Sequence, residues 1–98
     1  MPNIIITRHS GAVEWLRKHG VEGPVIERAT PDDVRGQIVY GVLPLELAAE
    51  AKEVWTIRFQ TSEEARKRLT ETGGNIPAEE MEALGAELIG FRVERISN

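Results

Sequence analysis

The chain has 98 residues, 41% of them hydrophobic and 29% charged, which suits one domain with a modest core and excludes global disorder. Sixteen acidic residues against twelve Lys and Arg leave a net charge of −4, the wrong sign for a footprint on long duplex nucleic acid, although a small anionic ligand needs only local donors. There is no cysteine, so disulfides, thiolate metal sites and cysteine nucleophiles are excluded; no apolar run approaches the ~20 residues of a membrane span and no leader pattern opens the chain, so a cytoplasmic protein without a membrane partner is expected.

Asn3-Ile4-Ile5-Ile6-Thr7 is a short β-branched run, the pattern of a strand buried on both faces. A helical pattern follows from Ala12 to Lys18, with basic residues in its last turn and Gly20 as the stop. Residues 24–27 read as a second short strand and Thr30-Pro31-Asp32-Asp33 as a turn or single helical turn, Pro suiting the first helical position. Residues 37–41 form the third strand, and Leu43-Pro44 opens a helix running to Lys52. Residues 54–59 alternate as a fourth strand, with Trp55 expected in the core. The polar stretch Gln60 to Ile76 reads as a loop holding one helical stretch, Ser62 to Leu69, capped by Ser62. Pro77 begins a last helix with Met81, Leu84 and Leu88 on one face, and residues 91–96 alternate as an edge strand. The order favours one α/β domain over residues 1–98, a mainly parallel sheet with helices on both faces.

Such sheets bind ligands beyond the carboxyl ends of their strands. Two segments reach that edge and lead straight into helices, Thr7 to Gly11 and Gly41 to Pro44. Unpaired amides and the dipole at a helix N-terminus favour an anion. Arg8 can grip a phosphate with two parallel hydrogen bonds, and His9 can move a proton near neutrality. Gly11 removes a Cβ that would block a phosphate oxygen. The structural alternative pairs Arg8 with a carboxylate and packs His9 on the helix. Gly41-Val42-Leu43-Pro44 offers only backbone donors and a Gly that lets the chain come close to a ligand, and by its residue types it reads first as a tight turn packed by Leu43 and Leu45. Trp15 can stack on a base or sit in the core. Arg66-Lys67-Arg68 is either a solvated face or a basic loop that closes over an anion. Glu14 and Glu50 are candidate bases or solvated helix residues, and His19 complements a helix C-terminus. Asp32-Asp33 is turn chemistry before it is a Mg²⁺ site, and two histidines without cysteine make a poor transition-metal set, so no metal and no cofactor are expected. Phosphate-loop, dinucleotide and nucleophile-elbow signatures are absent.

The stretch Thr7-Arg8-His9-Ser10-Gly11-Ala12-Val13-Glu14-Trp15 resembles the TRHxGAxEW motif of the CRISPR-associated Csx-sixteen family. Residues 41–50, GVLPLELAAE, are similar to that family's G-x-LP-x-x-LAAE segment, and residues 77–86, PAEEMEALGA, to its SAEDMEAYGA-like stretch. The resemblance implies a Rossmann-like, CARF-related homodimer, a ring nuclease that cuts cyclic tetra-adenylate, the second messenger of type III CRISPR defence, or else a non-catalytic sensor or sponge of that ligand. On that basis Arg8, His9 and Ser10 are expected at the catalytic centre: Arg8 stabilises charge and His9 acts as acid or orienting group. Thr7, Gly11, Trp15, Gly41, Leu43, Pro44, Leu45 and Arg66 are expected to contact substrate, with the amides of Leu43 and Leu45 in a phosphate cradle alongside Ser10 and Gly11. One departure stands out: where the family runs through a hydrophobic-Asp-Leu-Pro stretch after the fourth strand, this chain has Gln60 at the acidic position.

Overall fold

Three consecutive isoleucines decide the centre of the molecule. Successive strand residues point to opposite faces, so Ile4 and Ile6 enter one hydrophobic cluster and Ile5, which is fully buried, enters the other. The computed structural model describes residues 3–59 and 63–96. Along the chain these are β1 (Asn3–Ile6), α1 (Ser10–Lys18), β2 (Val25–Ile26), α2 (Pro31–Val34), β3 (Ile38–Gly41), α3 (Leu45–Glu50), β4 (Glu53–Arg58), α4 (Glu63–Thr72), α5 (Ala78–Ala83) and β5 (Glu87–Phe91). The sheet order is β2-β1-β3-β4-β5; the first four strands are parallel and β5 runs antiparallel on β4. The result is a small Rossmann-like α/β fold. Val34 of α2 and Ala48 of α3 join the cluster of Ile4 and Ile6; Trp15 and Leu16 of α1 with Ala78 and Met81 of α5 cover Ile5 on the other face.

Three elements differ from the sequence expectation. The last helix ends at Ala83, not Leu88. Gly85 adopts φ +77°, and the amides of Gly85 and Ala86 bond back to the Glu82 and Met81 carbonyls, the double closure that terminates a helix. Freed from the helix, Leu88 pairs opposite Ile57 and packs on the second cluster, so the edge strand occupies 87–91 instead of 91–96. Ile96 is left 89% exposed. The helical stretch expected after β4 is present as α4, ten residues long, and runs past Leu69 to Thr72, although Ala65 is its only buried residue among those described. Its support is ionic: the Arg68 guanidinium binds the Glu80 carboxylate through two nitrogens and reaches Glu71 at 2.9 Å, tying α4 to α5. The proposed Ser62 cap and Gln60 lie outside the described residues. Trp55 is half-buried, not core; its ring lies across Gly90, where a Cβ would come within 2.8 Å of it, and its Nε1–H donates to Glu53 at 3.0 Å.

Several of the ties that hold this surface are carboxylates kept charged. Hydrogen bonds from Arg68 hold the Glu80 carboxyl below its ordinary range. The Thr30 amide, then its hydroxyl, do the same for Asp33 in the capping box that starts α2. A carboxyl depressed in the folded state stabilises fully above its unfolded value, and that stability is lost as pH falls through the folded one. The thermal midpoint is therefore expected to hold near neutrality and to decline below about pH 4. Glu80→Gln lowers the neutral midpoint and flattens the acid decline, which calorimetry across pH reads directly.

Candidate functional site

The connection between β1 and α1 is three residues, Thr7-Arg8-His9, too short to fold back into the core. His9 caps α1 from an extended backbone conformation, its carbonyl accepting from the Ala12 and Val13 amides and its own amide donating to Thr7 Oγ1 at 3.1 Å. These bonds fix the loop while leaving the Arg8 and His9 side chains outside the ladder. The imidazole rests on Gly74 in the α4–α5 connection, where a Cβ would meet Nε2 at 3.2 Å.

Register sets what surrounds them. Ile6 pairs with Ile26 of β2 on one side and with Gly41 of β3 on the other, so Glu27, Thr7 and Val42 emerge side by side at one edge. This is the point where the strand order reverses, the usual ligand crevice of such sheets. Gly41 is needed there: its φ is +151°, and a Cβ would fall 2.1 Å from the Ile6 carbonyl oxygen. The crevice is a cavity of about 350 Å³ with Thr7, Arg8, His9 and Glu27 bringing its polar groups. Tyr40, Ile57, Phe59, Leu16 and Met81 form a mostly apolar interior.

The charges in this cavity are not used up by the fold. Arg35, Arg58, Arg68 and Arg92 each face a carboxylate. Arg8 and Glu27 make no ion pair or side-chain hydrogen bond among the described residues, although both line the same cavity. The sequence alternative in which Arg8 serves a structural pair is thus not realised.

Of the residues expected at a site, Thr7, Arg8, His9 and Gly41 come together here. Ser10 begins α1 outside the cavity lining, and Leu43 packs on the first hydrophobic cluster. Pro44 and Leu45 lie at the start of α3 away from the cavity, Leu45 76% exposed. Arg66 is exposed on α4, so the basic cluster belongs to a helix and not to a flexible loop. Trp15 is 1% exposed and stacks on His19 with ring centroids 4.1 Å apart, which leaves no face for a base. Gly11 is required for packing: its Cβ would fall 1.9 Å from the Ile76 carbonyl oxygen, and its amide already donates to Asn75 Oδ1 at 3.1 Å. The candidate bases Glu14 and Glu50 pair on the surface with Lys18 and Arg35, and His19 at the end of α1 meets Glu82. Asp33 completes the capping box begun by Thr30 at the start of α2, and Asp32 pairs with Arg35.

Glu27, Tyr40, Phe59, Gly74 and Met81 line the cavity without having been expected there. Glu27 carried a usable signal, since the residue after a second parallel strand must reach the same edge as the residue after the first. Gly74 and Met81 carried none, because their position depends on how α4 and α5 dock. Among the described residues no group of three or more His, Cys, Asp or Glu side chains is placed to hold a metal ion, and no helix is long and apolar enough to cross a membrane.

Gly11→Ala separates packing from ligand approach at this glycine. The overlap with a backbone oxygen cannot be relieved by a rotamer change, so the substitution is expected to cost about 3 kcal/mol or more in chemical denaturation. Unchanged stability with lost ligand binding would return Gly11 to the site.

Residues 4–94 match the model of the family described as "Putative CRISPR-associated protein (Cas_VVA1548)". No curated protein and no solved structure matches the chain significantly.

Proposed function

Because the chain belongs to this CRISPR-associated family, we propose that it is a ring nuclease that opens cyclic tetra-adenylate, the messenger of type III CRISPR defence. The observation that carries the reading is the pair Arg8 and His9, unspent by the fold, at the mouth of the switch-point cavity. A guanidinium and an imidazole beside an apolar, aromatic interior suit a phosphodiester flanked by nucleobases. The motif likeness of residues 7–15 to Csx-sixteen proteins supplies the substrate.

The reaction needs no metal and no water in the bond-breaking step. The ribose 2′-oxygen attacks its adjacent phosphorus, a P–O2′ bond forms, the P–O5′ bond breaks, and the products are a 2′,3′-cyclic phosphate and a 5′-hydroxyl. Arg8 stabilises the charge that builds on the non-bridging oxygens, where a preorganised donor in a partly dry site is most effective. His9 gives a proton to the departing 5′-oxygen. Thr7 and the His9 amide set the loop so that both side chains address one phosphorus.

About 350 Å³ does not enclose four nucleotides. The ring is therefore read as lying across two mouths in a cytoplasmic homodimer, each protomer addressing one of two opposite phosphates. Val42 supports this pairing: it lines the cavity and is 81% exposed, an apolar side chain at the mouth.

Incubation with cyclic tetra-adenylate in EDTA, read by mass spectrometry, is expected to give linear di-adenylate ending in a 2′,3′-cyclic phosphate at many turnovers. Arg8→Ala is expected to slow cleavage by about 100-fold or more while leaving the fold intact. Bound but uncut ligand would make the protein a sensor or sponge; wild-type rates in Arg8→Ala would remove Arg8 from the centre.

A further inference from the structure

We propose that Glu27 is a further catalytic residue of this site, the base that takes the proton from the attacking 2′-hydroxyl. The proposal rests on the ring-opening reading above and adds the group that reading lacks. Attack by a ribose hydroxyl requires a proton acceptor on the nucleophile as well as a donor on the leaving oxygen. A guanidinium can only donate, so Arg8 cannot fill the first role, and one imidazole cannot serve both ends of an in-line displacement at once.

Among the described residues lining the cavity, Glu27 is the only carboxylate. It stands one step beyond the Ile6–Ile26 register pair, beside Thr7, directly after a strand that lies about 4.8 Å from β1. The Thr7 amide donates to the Ile26 carbonyl at 3.2 Å, which pins that juxtaposition directly before Arg8 and His9. The two proton carriers reach the cavity from different elements: Glu27 from the end of β2, His9 from the start of α1 against Gly74. Separate approaches are what an in-line displacement asks of its acid and base, because the entering and leaving oxygens lie on opposite sides of phosphorus. Glu27 is exposed and has no ion pair or hydrogen bond of its own among the described residues, so the fold gives it no structural duty. A carboxylate left unpaired in an anion-binding cavity opposes ligand binding by charge, a standing cost unless it acts in the reaction.

The proton balance closes. The 2′-hydroxyl proton passes to the Glu27 carboxylate as the P–O2′ bond forms; the P–O5′ bond breaks and O5′ takes a proton from the His9 imidazolium. Both side chains then regain their starting states by exchange with water, and nothing is oxidised or reduced.

A leaving group that needs no proton tells the two roles apart. The test uses cyclic tetra-adenylate with one 5′-bridging sulfur in place of oxygen, alongside the all-oxygen ring, under single-turnover conditions. Wild type, Glu27→Gln and His9→Ala are compared after circular dichroism has shown each folded. His9→Ala should be slow on oxygen and close to wild type on sulfur. Glu27→Gln should be slowed by about 100-fold or more on both. A Glu27→Gln rate within a few-fold of wild type, or restoration of that variant by sulfur, would each overturn the assignment. Wild type that leaves both rings intact would overturn the ring-opening reading itself and Glu27's role with it, a failure visible before any variant is tested.

Discussion

β1 pairs in parallel with β2 and β3 at the same time, and everything functional in the molecule depends on that double register. Four residues carry it, three of them isoleucines between 0% and 8% exposed. A slip of one residue against either neighbour would turn Ile5 out of its cluster and push Ile4 and Ile6 into the other face, so burial on both sides fixes the register tightly. Once it is fixed, the residue following each strand has no choice of location. Thr7, Glu27 and Val42 arrive at one edge because Ile6, Ile26 and Gly41 are neighbours in the ladder. A weak two-residue strand, β2, thereby places its successor as surely as the four-residue strand beside it.

The same closeness changes what the glycines mean. Gly41 and Gly11 read in sequence as open ground for a phosphate, yet each has a backbone oxygen of this chain where its Cβ would be. Their small size is already used by the fold. The amide of Gly11 is likewise taken by Asn75. The familiar solution, in which glycines and free amides at a helix start cradle an anion, is therefore weakened at α1. Recognition passes to the side chains of the loop before it, and Arg8 is the one with the charge and the reach.

Much of this could be read from the residues alone. The strands read at 3–7, 37–41 and 54–59 stand out as apolar or alternating runs, and the helix of α1 has a clear stop. The parallel order follows from alternating elements. What escaped notice lacked a local cause. α4 was legible as a helical stretch but its place was not, since it has almost no apolar face and is held by the ion pair from Arg68 to Glu80 of α5, a partner that only docking brings near. β5 is displaced because Gly85 ends a helix whose apolar spacing would have carried on to Leu88. Trp15 sits on a motif that invites a ligand role, and only its 1% exposure shows that it serves the core beneath that motif. A motif marks a segment; burial then divides its residues between holding the segment and facing the ligand.

The charge distribution completes the argument. With a net charge of −4, the molecule as a whole repels a polyanion, and over distances beyond about 10 Å at ordinary salt that field is largely screened. Long-range steering is thus not how this protein would gather an anionic ligand. Arg35, Arg58, Arg68 and Arg92 are neutralised by carboxylates on the surface, which removes those four side chains from any attractive patch. Arg8 is kept out of such pairs by the geometry of a three-residue loop. A compact ligand that fits the cavity meets that charge at contact distance, where screening is least, while an extended duplex meets mostly the acidic remainder. Selectivity for a small anion over a long one then follows from where one arginine is held, without any feature that recognises length.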